Sequence, residues 1–254
     1  MTRVRNTVFQ PLTCVVTTVL AMGLVFSSPA YAAKAVSQTE QSAMSVEHVS
    51  LTPEELASVA YQRAQKSAQA GDMNRAISYL REVIEHQPTH TGAINQLAAL
   101  LYGKNLGREA EQVLRRGIKA NPHTLSLKLT LARLFEQSGQ PEAALSVLLT
   151  EPSGNEKDSE QTIRFYAMRG ALSQYLNKTS LAHKSYLWLT ANDDDDGRWW
   201  LGLALAEEKS GRETAAIAAY ESALEAGHLS SQSVSFVRTR LLALKTASED
   251  QNGD

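Results

Sequence analysis

Apolar and small residues recur along this chain at helical spacing, and the pattern repeats. Alanines followed by a similar apolar stretch stand at Ala76, Ala110, Ala144, Ala182 and Ala216, with spacings of 34, 34, 38 and 34 residues. Turn-forming residues precede them by five positions each time, at Gly71, Asn105, Gly139, Asn177 and Gly211. Two series that keep one offset over five units predict five copies of a single structural unit with a turn inside it. A last helix is predicted from about Ser231 to Lys245, because Val234, Val237, Leu241 and Leu244 fall on one face. Residues 33–50 and 248–254 are small and polar with no apolar stripe, so they read as a flexible linker and a disordered tail.

The first 32 residues follow a different rule. Arg3 and Arg5 precede an apolar run from Leu12 to Phe26, and Ser28-Pro29-Ala30-Tyr31-Ala32 follows it. A basic start, an apolar core and small residues at a cut after Ala32 make a secretory signal peptide. The run is short for a membrane span, which needs roughly 20 apolar residues. The expected location is the periplasm, the alternative being an uncleaved inner-membrane anchor that faces it. Cleavage would remove Cys14, the only cysteine, and with it any disulfide, thiolate metal site or cysteine nucleophile.

With its 34-residue period and internal turn, the chain resembles the tetratricopeptide-repeat family, whose unit is a pair of antiparallel helices. The resemblance implies an all-α, right-handed superhelical solenoid of about five repeats, with units at about 57–90, 91–124, 125–158, 163–196 and 197–230 and a capping helix over 231–247. It places the alanine series where the two helices of a unit pack closest. Small residues Ala64, Ala98, Ala132, Gly170 and Ala204 then fall on the facing helix. Leu80, Leu114, Leu148, Tyr186 and Tyr220 become the large residues between stacked units, and Pro88 and Pro122 the stops of the second helix. Arg63 and Arg169 at one apolar position, and Ser67, Ser173 and Glu207 at another, depart from the pattern and mark degenerate outer repeats. The third unit is expected to end early at Pro152, before a connection over 153–159.

Composition narrows function by exclusion. Lys and Arg number 25 against 27 Asp and Glu, so no general basic field for nucleic acid exists. Six histidines include no His-Glu-x-x-His spacing, and Pro88 separates His86 from His90. Asp193 to Asp196 before Gly197 imitates a calcium loop, but Leu203 stands where the bidentate glutamate belongs. Those carboxylates read instead as caps for a helix starting near Arg198, with weak cation binding left open. No phosphate loop or nucleophile elbow occurs, so neither catalytic residues nor a cofactor nor a metal is expected.

The family resemblance lines the concave face with the first helix of each unit. The candidate partner groove then holds Tyr61, Gln65, Asn95 and Tyr102, followed by Arg133, Arg164 and Arg198. This set suits an extended or acidic peptide segment of a partner protein, although the arginines are equally compatible with solvation or with pairing to Glu136 and Glu208. The segment Gly197 to Ala206, with Gly211 and Ala215 to Tyr220, also resembles the C-terminal repeat region of mannose-sensitive haemagglutinin (MSHA) pilus biogenesis proteins, part of a type IV pilus machinery. That resemblance implies a scaffold for pilus or secretion assembly, touching the membrane only through partners. The alternative is a repeat scaffold for surface polysaccharide export. Oligomeric state stays open.

The leader supplies the first prediction. Intact-mass measurement of protein from the envelope is expected to show a chain beginning at Ala33, recovered in the soluble fraction. A membrane-bound mass that retains residues 1–32 would contradict cleavage.

Overall fold

In the computed structural model the described residues are 50–152 and 160–252. The segments expected to be a signal peptide and a linker up to residue 49, the 153–159 connection and the last two residues lie outside them. Eleven helices follow one another among the described residues: α1 (Pro53–Gln69), α2 (Met73–His86), α3 (Thr91–Gly103), α4 (Gly107–Ala120), α5 (Leu125–Gln137), α6 (Pro141–Val147), α7 (Glu160–Tyr175), α8 (Thr179–Asn192), α9 (Gly197–Lys209), α10 (Glu213–Ala226) and α11 (Ser231–Asn252). None is long and apolar enough to cross a membrane.

Odd and even helices pair, and the turn inside each pair explains the first periodic series. Gly71, Asn105, Gly139, Asn177 and Gly211 all have φ between 56° and 79°. In that left-handed region glycine has no Cβ to clash and asparagine is the best tolerated of the others. The first helix is fixed further by a capping box, in which Thr52 Oγ1 accepts from the Glu55 N–H at 3.2 Å and Glu55 Oε2 accepts from the Thr52 N–H at 2.8 Å.

The second series marks where helices touch. Ala76, Ala110, Ala144, Ala182 and Ala216 are at most 1% exposed, as are Ala64, Ala98, Ala132 and Ala204 opposite them. Leu80, Leu114, Leu148, Tyr186 and Tyr220 are buried between units. The fourth unit shows how the positions compensate one another. A Cβ on Gly170 would lie 3.0 Å from the Tyr186 ring and one on Gly202 only 2.3 Å from it, so both glycines make room for the tyrosine. Burial pushes the Tyr186 hydroxyl up to about 12, and it donates to Gln174 Oε1 at 3.0 Å.

Contacts between pairs set the curvature. α3 touches α5, α5 touches α7 and α7 touches α9, whereas no even helix makes a comparable contact with the next even one. A stack whose odd helices crowd together while its even helices spread apart bends toward the odd side. The odd helices therefore line the inner face, as in a superhelical repeat solenoid closed by a C-terminal helix.

Two boundaries differ from expectation. α6 stops at Val147, five residues short of Pro152 and after only 7 residues, whereas α2, α4, α8 and α10 have 14 each. Pro152 cannot donate to the carbonyl four residues back and disfavours a helical Glu151 before it, so the helix cannot run on through residue 152; it stops further back than proline alone requires. At the other end, α11 continues to Asn252, past the expected start of a disordered tail at residue 248. No glycine or proline interrupts the sequence before Gly253, so nothing in the backbone stops the helix there. Val237 and Leu244 of α11 are buried, Val234 and Leu241 half-buried, and the helix packs on α10.

Replacing Ala110 or Ala144 by Phe is expected to lower stability by about 1–3 kcal/mol through overpacking. Ala120→Phe, at an exposed site one helical face away, is expected to leave the thermal midpoint nearly unchanged. Equal tolerance at all three positions in thermal melts would overturn the packing register.

Candidate functional site

The inner face begins at α1 with Tyr61, half-buried beside the start of α3. Its ring lies 4.6 Å from the His90 ring, and its hydroxyl accepts from Gln96 Nε2 at 2.9 Å. His90 caps α3 by accepting from the Ala93 N–H on Nδ1 at 3.1 Å. Gly92 leaves the tyrosine hydroxyl its place, since a Cβ there would lie 3.2 Å from it. Gln65, one turn on from Tyr61, is exposed, and its side chain makes no hydrogen bond among the described residues.

On α3, Asn95 Nδ2 donates to Ser126 Oγ of α5 at 3.3 Å, while Asn95 Oδ1 is buried without a donor. An unpaired buried acceptor costs on the order of 1–3 kcal/mol, which is tolerated more readily at a recognition site than in a core. Tyr102 lies half-buried near the other end of the same helix.

The three arginines do not act alike. Arg164 is paired within α7 to Glu160 at 2.5 Å. Arg198 is held by Asp196, with Nε at 2.9 Å from Oδ1, and its guanidinium lies 5.0 Å from the Trp199 ring. Arg133 on α5 is exposed and has no ion-pair partner among the described residues. The structure thus brings Tyr61, Asn95, Tyr102 and Arg133 onto successive odd helices α1, α3 and α5, and leaves Arg164 and Arg198 neutralised by neighbours of their own segments. Glu208 pairs with neither: it accepts from Arg240 Nε of α11 at 2.8 Å and from the Tyr220 hydroxyl at 2.8 Å.

The acidic run has a structural occupation. Asp196 caps α9 by accepting from the Arg198 N–H at 3.0 Å. Asp193 Oδ2 accepts from Trp199 Nε1 and the Asp194 carbonyl from Trp200 Nε1, both at 2.7 Å, and the Asp195 carbonyl lies 3.0 Å from His228 Nδ1. Burial raises the Asp196 carboxyl, but the hydrogen bonds and charge of Arg198 outweigh it and hold the group below its ordinary value. Among the described residues no three His, Cys, Asp or Glu side chains converge as a metal-ligand set.

The departures from the repeat pattern form two polar clusters that sequence analysis read only as degeneracy. Arg169 is 1% exposed, in the core of the fourth pair. Its Nε donates to Ser185 Oγ at 2.9 Å, its guanidinium lies 4.6 Å from the Tyr166 ring, and Nη1 is 3.4 Å from exposed Glu151. Glu207 is buried on α9 between His183 of α8, at 2.8 Å, and Arg212 at the start of α10. Burial pushes its carboxyl up, and the hydrogen bonds and charges of Arg212 and His183 together pull it lower than usual. Ser173, on α7, keeps a buried Oγ with no partner.

Family models described as tetratricopeptide repeat match residues 67–127 and 168–230. This is a tetratricopeptide-repeat solenoid. Among solved structures it is similar to YrrB, described as a protein of this repeat class with an unusual peptide-binding site, at a TM-score of 0.54 and 14% identity over 70% of this chain and 90% of that one. It is similar to a MamA protein at 0.51 and 16% over 68% and 92%, and to PilF of Pseudomonas aeruginosa at 0.50 and 16% over 80% and 95%. None of the curated proteins matches the chain. Tetratricopeptide-repeat folds are typically scaffolds for protein and peptide partners.

Glu207 supplies a pH prediction. Its folded carboxyl titrates lower than the ordinary 4.5, so its contribution to stability is full above that value and is lost as pH falls through the folded one. Glu207→Gln is expected to lower the melting temperature at about pH 6 and to lose that difference toward about pH 3. Melts that differ equally at both pH values would show that the charge contributes nothing.

Proposed function

We propose that this chain is an exported, non-catalytic scaffold of the periplasm, accessory to the assembly of an MSHA-like type IV pilus or of a secretion machine. It acts by holding an extended or acidic segment of a partner protein along its inner face. Arg133 carries the binding half of this reading. It is an exposed guanidinium, unpaired among the described residues, on the middle odd helix, with Tyr61, Gln65, Asn95 and Tyr102 on the two odd helices before it. Tyrosines supply amphipathic contact area at low entropic cost, and a guanidinium binds carboxylates in a fork. The assembly half rests on the likeness of residues 197–206 and 215–220 to the pilus proteins, and export rests on the leader.

Arg164 and Arg198, already neutralised, contribute less than Arg133. Against the partner isolated from the envelope, Arg133→Ala is expected to weaken binding by about tenfold, and Tyr61→Ala with Tyr102→Ala by at least as much, as central contacts do. Arg164→Ala is expected to change it little. Raising salt from about 0.1 M to about 1 M shortens the screening length from about 10 Å to about 3 Å and erodes the Arg133 effect but not the tyrosine effect. Unchanged affinity in a Tyr61, Tyr102, Arg133 triple variant with an intact helical spectrum would refute the inner-face reading.

A further inference from the structure

The last helix repeats the register of the odd helices that form the inner face. Ser231 opens α11 one repeat length beyond Gly197, the first residue of α9. Two contacts between units recur there in phase. The Tyr186 ring fills the space left by Gly202 in the next unit, and the Tyr220 ring, one repeat on, lies 6.4 Å from the ring of Phe236 at the corresponding position of α11. Arg240 Nε donates to Glu208 of α9 much as Gln96 of α3 donates to Tyr61 of α1, a hydrogen bond between neighbouring odd helices. α11 is thus the first helix of a sixth unit. Arg238, exposed, stands at the position where the five units have alanine or glycine against their even helices, so no second helix closes on it at alanine distance.

In this register Ser235, Thr239 and Leu242 continue the inner-face rows that hold Tyr61, Arg133 and Tyr102 on earlier helices. All three are exposed, and Leu242 at 68% is the most exposed leucine among the described residues. On α7 and α9 the same rows carry Ala167, Ala171, Leu201 and Leu205, each half-buried or exposed. Beside Leu205 a cavity of about 330 Å³ opens between α7 and α9, its apolar lining formed by Ala182, Leu205 and Ala206. The charges on these rows are already satisfied, Arg164 by Glu160, Arg198 by Asp196 and Glu208 by Arg240. The inner face therefore changes character along its length. Phenol and amide groups and the exposed charges of Arg133 and Glu136 line α1 to α5, whereas apolar, amide and hydroxyl groups beside paired charges line α7 to α11.

We propose that α11 is a wall of the partner groove rather than only its end, and that the α7–α11 half of the inner face receives an uncharged, apolar stretch of the partner segment whose polar stretch lies over α1 to α5. This rests on the inner-face reading above. The occupant is the same segment because the rows run without a break from α1 to α11. A charged stretch would give up its water here and meet no free counter-charge, a cost that an apolar stretch does not bear. The apolar stretch also takes Leu205 and Leu242 out of water.

The test is photocrosslinking in the protein's native cells, with p-benzoylphenylalanine placed at Leu242 and, separately, at Tyr102, and the attached peptide identified by mass spectrometry. The proposal expects both positions to attach to one partner chain, with an uncharged, apolar stretch at Leu242. Four steps between odd helices of about 9 Å each separate α3 from α11, and an extended chain covers about 3.3 Å per residue, so the two attachment points are expected about 11 residues apart. With that partner chain purified, Leu242→Ser is expected to weaken binding by about tenfold, equally at about 0.1 M and about 1 M salt because no charge is involved, and Leu242→Met to restore it, the helical spectrum being kept throughout. An adduct at Tyr102 without one at Leu242, a charged stretch or a different chain at Leu242, or unchanged affinity in Leu242→Ser overturns the proposal and leaves the inner-face reading standing. Absence of an adduct at both positions overturns both.

Discussion

Everything in this stack depends on how closely the two helices of each pair can approach. Four of the five pairs meet through alanine on both sides and the α7–α8 pair through alanine and Gly170, the alanines at most 1% exposed, and that distance is compatible with only a methyl group or less at the contact. The large residue four positions beyond each alanine then reaches the next pair, so spacing within a unit dictates packing between units. The Tyr186 site makes the dependence visible: a larger side chain in the inter-unit slot is accommodated by glycine at both Gly170 and Gly202. Helical propensity alone would not favour glycine in either place, since it costs about 1 kcal/mol relative to alanine in a helix.

Against that apolar constraint, the second half of the stack tolerates charge in its interior by satisfying it. Arg169 is placed between aromatic rings and hydrogen-bonded to Ser185, and Glu207 is shared between helices on either side. With Glu208, which joins α9 to α10 and α11, these groups link consecutive elements through directed bonds as well as packing. Removing one partner of such a cluster leaves a buried charge uncompensated, which is more damaging than losing an equivalent surface pair.

The periodic features were legible in the sequence because each rests on a local requirement. Asn105 and Asn177 signal a left-handed turn by themselves, and a buried alanine repeated every 34 residues needs no knowledge of its neighbour. Arg169 and Glu207 were not legible, since their meaning lies in Ser185, Glu151, His183 and Arg212, which the fold brings together from other helices. The groove arginines divide along the same line. Glu160 lies four residues before Arg164 on one helix face and Asp196 two before Arg198, so their neutralisation was written locally. The joining of Tyr61 to Gln96, and of Asn95 to Ser126, required the stacking of α1, α3 and α5. The halt of α6 at Val147 was only half visible, because Pro152 bars continuation through itself without fixing where before it the helix ends.

The shortness of α6 also bears on how the molecule comes apart. In a stack where each unit touches only its neighbours, cooperativity is carried by the junctions between them. The junction that α5 and α6 make with α7 is thinner than the one before it and the one after it. Local opening draws first on thin junctions of this kind, and the contact of α11 with α10 is thinner still. Arg169, whose Nη1 is 3.4 Å from Glu151, ties the α7 side of the α6–α7 junction back to the residues that follow α6.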